Sequence, residues 1–419
     1  MNQKSLLRNR SFVALMTAQI ISLLGSGVTT IGLTLFVYQL AGGAIAAVVI
    51  GQALMLRILA FLLFSQPAGV LADVLNRKYI LIAADIGRFA LLSLFPFITS
   101  TWQVYAMIFS INALTAFFTP TFEAAIPGVA GKDYYVQALS LSRVASDVEA
   151  VASPALAALL VLWLGVKWVF WFDAFTYLVS AVLVASVTFP VLEGIRASLS
   201  VRSFFSEITT GVRILFREPA LRKALLLSFA EATAGAAAIV LTVVYVRTTL
   251  GRSETTFAMT MAAVGLGSSA MAIALNRWSR PQEALVQGDA ALHESRHRWA
   301  GRALIVGGVI LAVVLLPGAL APPLWLFALL WIGNGAGQAL IAIPSSTLLA
   351  EHVAEAERGR AYAAHFALTH ACWLITYPAA GWAGTLLGPA LTFSIFGVAC
   401  AAITALALLI GNTASATHR

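Results

Sequence analysis

Near the C-terminal end the chain reads YAAHFALTHACW, Tyr362 to Trp373. Imidazole and thiolate are ligands for nickel, cobalt, copper or zinc, and imidazole also carries protons. On a helix His365 and Cys372 lie seven apart on one face, while His370 is five residues from His365. That spacing sets the two rings about 140° apart around the axis. A helix presents paired ligands best four residues apart, so one helix cannot close a site from these three. His365, His370 and Cys372 stand as candidate ligands of a metal shared with other helices, as a proton relay, or as ordinary hydrogen-bonded residues of a helix interface. His293 and His297 have the four-residue spacing, but in a hydrophilic stretch, HESRH, that reads as a solvated loop.

Charged residues inside apolar runs form the second set, since a charge in hydrocarbon costs several kcal/mol or more and has to be paired or used. Asp85 and Arg88 are three apart and Arg143 and Asp147 four apart, so each couple can pair on one helical face. They read as structural or gating pairs. Arg57 lies mid-run, and Glu149 and Asp173 lie in later runs. Glu231, in SFAEATAGAAA, has no cation near it in sequence. It is a candidate for reversible protonation or for a fixed salt bridge to Arg57; Asp147 and His370 are the further proton-coupling candidates. Glu123 is expected at a membrane edge.

The elements that position these residues follow from composition. Of 419 residues, 60% are hydrophobic and 11% charged, whereas soluble domains carry about a quarter charged residues. Apolar runs long enough to cross a bilayer are expected at 12–39, 44–72, 79–98, 102–125, 136–164, 167–189, 221–247, 255–277, 302–318, 323–350, 361–387 and 389–411. The connections alternate between short, almost base-free loops and basic ones, which carry most of the net charge of +8. The positive-inside rule therefore puts both termini and the long 191–220 connection on the cytoplasmic side. That charge needs no nucleic-acid partner. Both cysteines, Cys372 and Cys400, lie in apolar runs, so no disulfide framework is expected.

The expected organisation is an all-α membrane protein of twelve helices: a six-helix bundle over 1–190, an amphipathic linker over 191–220 and a second bundle over 221–419. The halves repeat weakly. Pro120 and Pro344, and Pro154 and Pro378, are each separated by the same 224 residues. Six-plus-six repetition points to a transporter whose halves rock around a central site.

GVLADVLNRK, Gly69 to Lys78, closes the second span. It resembles the signature loop of the major facilitator superfamily, G-x-L-a-D-r-x-G-R-R/K, through Gly69, Leu71, Ala72, Asp73, Arg77 and Lys78. Val74 replaces a basic residue and Asn76 a glycine; asparagine tolerates the left-handed backbone such a turn can require. The resemblance implies the major facilitator fold over the whole chain. It also implies a gating role for Gly69, Asp73, Arg77 and Lys78, with Asp85 and Arg88 nearby and Asp73 against Arg358 at the start of the eleventh span. Spans one, four, seven and ten would line the cavity, which makes Gln19, Ser26, Thr30, Asn112, Glu231, Asn334 and Gln338 substrate candidates, with Arg57, His365 and His370. SPALAALL, from Ser153, stands where antiporter members carry a glycine- and proline-rich motif.

RGRAYAAHFALTHACWLITYPAAGWAG resembles the eleventh span of exporters linked to nickel and cobalt resistance, although the C-terminal tail holds one histidine, His418. The wider chain resembles twelve-span drug and siderophore exporters. The expectation is a secondary-active exporter working by alternating access, with proton antiport. Its expected substrate is a small toxic solute, first a divalent transition metal such as nickel or cobalt, with small amphipathic organics (drugs, siderophores) as the alternative. A monomer in the bacterial inner membrane is expected, with no cofactor; a non-transporting sensor on the same scaffold is the alternative of another class. No phosphate-binding G-x-x-x-x-G-K-[ST] loop is present to support drive by ATP, and no intramembrane-enzyme constellation is visible.

Overall fold

The computed structural model describes residues 6–43, 45–131, 134–189, 201–285 and 289–416. Thirteen α-helices account for nearly all of them: α1 (Arg10–Ala41), α2 (Ala46–Val74), α3 (Arg77–Leu94), α4 (Thr101–Ala130), α5 (Tyr135–Leu164), α6 (Val166–Ser186), α7 (Val201–Arg217), α8 (Pro219–Val244), α9 (Glu254–Leu285), α10 (Asp289–Leu315), α11 (Leu324–His352), α12 (Glu355–Leu387) and α13 (Pro389–Ala416). Among the described residues ten helices are long and apolar enough to cross a membrane. The helices α5 and α12, of 30 and 33 residues, are as long but carry more polar residues. An all-helical solution is what the bilayer demands, because every backbone polar group is then satisfied within its own segment. Pro67, Pro120, Pro127, Pro344 and Pro378 sit inside helices without ending them.

The chain forms two compact units, Met1–Gly42 with Gln52–Leu199, and Gly43–Gly51 with Ser200–Arg419. Packing inside the second unit repeats packing inside the first. The helix α1 lies on α6 and on α5, as α8 lies on α13 and on α12; α3 packs on α6 and α4, as α10 packs on α13 and α11. The tight connections repeat as well. Gly165 alone separates α5 from α6, with φ +88°, and Gly388 alone separates α12 from α13, with φ +81°. Only glycine enters that region without a steric cost. Five residues beyond each glycine an aromatic ring anchors a cluster. Phe170 stacks on Phe95 at 4.3 Å, and Phe393 meets Trp331 edge-on at 5.0 Å.

Without a hydrophobic drive between helices in lipid, close packing and small residues bring them together. The crossing of α9 and α11 shows this. A Cβ on Gly267 would fall 1.8 Å from the Ile332 carbonyl oxygen, and one on Gly335 would fall 1.9 Å from the Val264 carbonyl oxygen. Trp102, Trp163, Trp168 and Trp325 are exposed beside the short base-free loops. Amphipathic rings collect there, at the headgroup level.

The linker forms the helix α7, which packs on α12 in the second unit. Gly211 makes the contact: a Cβ there would sit 2.3 Å from the Arg360 carbonyl oxygen. Side chains 201–208 and the stretch 190–200 lie outside the described residues.

Candidate functional site

In the first unit, α1 presents its polar face to α4, α5 and α6. Gln19 Nε2 donates to Ser142 Oγ at 2.7 Å. Ser26 Oγ bonds the Ser22 carbonyl oxygen at 2.9 Å and the Tyr177 hydroxyl at 2.8 Å. Two glycines of α1 make room for acids, buried Asp173 and half-buried Glu149. Asp173 Oδ1 would be 2.2 Å from a Cβ on Gly25, and Glu149 Oε1 would be 2.2 Å from a Cβ on Gly27. Gln19, Ser22 and Ser26 then line a cavity of about 320 Å³, with Phe118, Phe122 and Glu123 of α4. Glu123 was expected at the end of its span. The helix α4 continues to Ala130, so Glu123 belongs to the cavity wall.

Arg88 and Arg57, inside the spans of this unit, each lie near an acid. Arg88 is ion-paired with Asp85, whose second oxygen accepts from Ser180 Oγ at 2.7 Å. The guanidinium lies 4.3 Å from the Phe118 ring centre and 4.1 Å from that of Tyr177. Arg57 Nη1 donates to Thr30 Oγ1 at 3.1 Å and exerts its charge on Glu149, which also hydrogen-bonds Ser153. The side chains of Arg143 and Asp147 lie outside the described residues. Asn112 spends its amide on the Ile108 carbonyl oxygen of its own helix, at 2.8 Å.

Sequence spacing did not single out Tyr177 and Ser180, which complete the Arg88 site. The signal was present: Asp173, Tyr177 and Ser180 fall at positions i, i+4 and i+7 of α6, one polar stripe on an apolar helix. Thr115, Thr119 and Glu123 form a similar stripe on α4.

In the second unit, Glu231 of α8 is half-buried and faces α12, where its charge reaches Cys372. Two turns of close packing fix this pair of helices: the Trp373 ring would lie 2.2 Å from a Cβ on Gly235. His370 stacks on Phe366 at 3.7 Å, and its Nδ1 is 2.8 Å from the Phe366 carbonyl oxygen. His365 keeps Nε2 buried without a hydrogen-bond partner among the described residues. On α11, Gln338 Nε2 donates to Asn334 Oδ1 at 2.5 Å. Among the described residues no three His, Cys, Asp or Glu side chains converge as metal ligands, so His365, His370 and Cys372 are not gathered into one group. The side chains of His293 and His297, and His418 itself, lie outside the described residues.

The turn between α2 and α3 is built differently from the sequence expectation. Asn76 is not left-handed. Its φ of −65° and ψ of 113° make it the N-cap of α3, and its side chain accepts from the Lys78 amide at 3.0 Å. Capping, rather than a strained backbone, explains asparagine here. Arg77 donates to the carbonyl oxygens of Ala72 at 3.0 Å and Ala124 at 2.6 Å. Lys78 Nζ donates to the Val187 carbonyl oxygen at 3.0 Å. The two bases thus tie the turn to the ends of α4 and α6. Gly69 has no neighbouring atom within 4 Å of where a Cβ would stand. The Asp73 side chain lies outside the described residues, and Arg358 turns back to the Val353 carbonyl oxygen at 3.1 Å.

A sequence model of the Major Facilitator Superfamily matches residues 12–287 and 297–418. The chain belongs to that superfamily. It is 26% identical over 209 residues to macrolide efflux protein A of Streptococcus pyogenes, which is 49% of this chain and 51% of that one. It is 25% identical over 183 residues to the uncharacterized MFS-type transporter YfiS of Bacillus subtilis (strain 168), 43% of each. The alignments thus span about half the length of these curated relatives. Among solved structures, a POT family transporter in complex with 5-aminolevulinic acid superposes with a TM-score of 0.73 at 11% identity, covering 97% of this chain and 96% of that one. The nucleoside transporter NupG gives 0.72 at 12% identity, covering 96% and 98%. At such identities the likeness speaks for the fold. The family is one of multi-pass membrane transporters rather than of enzymes.

Proposed function

We propose that this major facilitator exports small amphipathic organic molecules across the bacterial inner membrane by alternating access, driven by proton antiport, with both termini cytoplasmic. The observation that carries the reading is the cavity of the first unit. It is about 320 Å³ in volume and combines the hydroxyl and amide groups of α1 with the Phe118 and Phe122 rings. Apolar walls with a few placed polar groups are the usual makeup of a small-molecule site. The similarity to macrolide efflux protein A supports export. Glu231 is the proposed proton carrier, an acid with no ion pair among the described residues; His370 and Asp147 are secondary candidates.

The test is expression in a bacterial strain stripped of its own efflux pumps, with growth measured across a panel of amphipathic organics, nickel and cobalt. Tolerance of organics should rise and tolerance of the metals stay unchanged. A rise for nickel or cobalt alone would replace this reading with the metal one.

A further inference from the structure

Among the described residues, two charged side chains line the first-unit cavity, Arg88 and Glu123. Their positions differ in one respect that matters to a ligand. Arg88 is 2% exposed, is neutralised by Asp85, and has its guanidinium against the rings of Phe118 and Tyr177. Glu123 is exposed and forms no ion pair or hydrogen bond among the described residues. Among the described residues, the charge the cavity offers is therefore negative.

Three of the five hydroxyls in the wall are polarised the same way. Thr115 Oγ1 donates to the Ile111 carbonyl oxygen at 2.9 Å, and Thr119 Oγ1 to the Thr115 carbonyl oxygen at 3.2 Å. Ser26 Oγ donates to the Ser22 carbonyl oxygen at 2.9 Å. A hydroxyl has one proton and two lone pairs. With the proton spent on its own helix, each can only accept. Phe118 and Phe122 stack 5.7 Å apart beside these acceptors. Acceptors around one uncompensated carboxylate, next to an aromatic floor, match a donor-rich cation and repel an acid.

We infer that this cavity selects protonated amines: the ammonium meets Glu123, its N–H groups reach Thr115 and Thr119, and an aromatic body lies on Phe118 and Phe122. The inference rests on the export reading and narrows its substrates to cationic amphipaths. Small-molecule pockets run from about 300 to 1,000 Å³, so a volume of about 320 Å³ suits a compact amine.

The purified full-length protein in lipid nanodiscs, with empty discs as the blank, is titrated with naphthyl ethers of similar size. Propranolol is a cationic amine, 3-(1-naphthyloxy)propane-1,2-diol is neutral, and 1-naphthyloxyacetic acid is anionic. The expected order of affinity is amine, diol, acid. Glu123→Gln should cut the preference for amine over diol about fivefold, the worth of a partly solvated ion pair, while diol binding stays unchanged. Thr119→Val should weaken the amine without changing the melting temperature. Failure of propranolol to bind, preference for the acid, or an unchanged amine-to-diol ratio in Glu123→Gln would each overturn the inference. If that ratio is unchanged while cells still tolerate neutral organics, the subsite falls and export stands. If no organic is exported, the export reading falls with it.

Discussion

Removing the Arg88 charge should unfold the first unit more easily than removing its partner's charge, and removing both should cost less than the two costs summed. Asp85 and Arg88 are 0% and 2% exposed, so neither charge has water to fall back on. In Arg88→Met the carboxylate keeps one bond, from Ser180 at 2.7 Å, and the Phe118 and Tyr177 rings lose their cation. Breaking a buried pair from one side costs about 3–5 kcal/mol. In Asp85→Asn an acceptor of the same shape remains for Ser180, and the cation keeps both rings. Each ring contact is worth about 0.5–2 kcal/mol, which offsets part of the loss, so about 1–3 kcal/mol is expected. The double variant strands no charge and should show a coupling of about 2 kcal/mol. The assay is reversible unfolding in mixed micelles, followed by tryptophan fluorescence. Additivity within about 0.5 kcal/mol would refute the reasoning, because it would mean that neither charge depends on the other.

Gly25→Ala and Gly69→Ala should separate a packing glycine from one that is open in this structure. The new Cβ at Gly25 meets Asp173 at 2.2 Å and should lower the melting temperature, whereas Gly69 has room and should hold or gain about 0.5–1 kcal/mol as a helical alanine. A transport defect in Gly69→Ala with unchanged melting would then place the role of that glycine in another state of the cycle. Arg77→Ala leaves the carbonyls of Ala72 and Ala124 without their donor. The expected cost is about 1–3 kcal/mol in the same unfolding assay, and no measurable change would show that the turn is held by other contacts. Glu231→Gln should keep substrate binding and counterflow in proteoliposomes but lose uptake driven by an imposed pH gradient; full gradient-driven transport would remove Glu231 from the proton path.

The helices were legible because the bilayer reduces the sequence problem to apolar length. The pairing of Asp85 with Arg88 was legible because both partners ride one helix, where three residues fix their separation. Partners on different helices were not. Arg57 had Glu231 as its named alternative partner; within its own unit it donates to Thr30 and its charge acts on Glu149, neither of which the sequence pointed to. That choice depends on the rotation of α1, α2 and α5 about their axes, and Gly27 sets it by leaving a seat for the Glu149 carboxylate. The role of Asn76 was not legible for a related reason. A motif position that is glycine in relatives suggested a left-handed turn, but the local geometry needed a side-chain acceptor for the Lys78 amide instead.

The placement of the charges bears on how the transporter can move. Arg88 and Asp85 are ion-paired within one compact unit, and the Arg57 charge acts on Glu149 within the same unit. A pair held inside one unit survives any motion of that unit as a body. A buried pair split between moving parts would have to be broken in each cycle, against about 3–5 kcal/mol. Internal pairing therefore removes the Arg88 charge from the energetics of the conformational change. Of the acids without an ion pair among the described residues, Glu149 and Asp173 keep hydrogen bonds from Ser153 and Thr176, which leaves Glu123 and Glu231 as the acids whose charge a ligand or a proton can most readily alter. A carboxylate that gains a bound cation or a proton in one state and loses it in the other biases the equilibrium between states by that difference in affinity. Coupling should therefore follow the acids left unpaired, and neutralising Glu123 or Glu231 should change which solute or gradient drives the cycle while leaving the melting temperature nearly untouched.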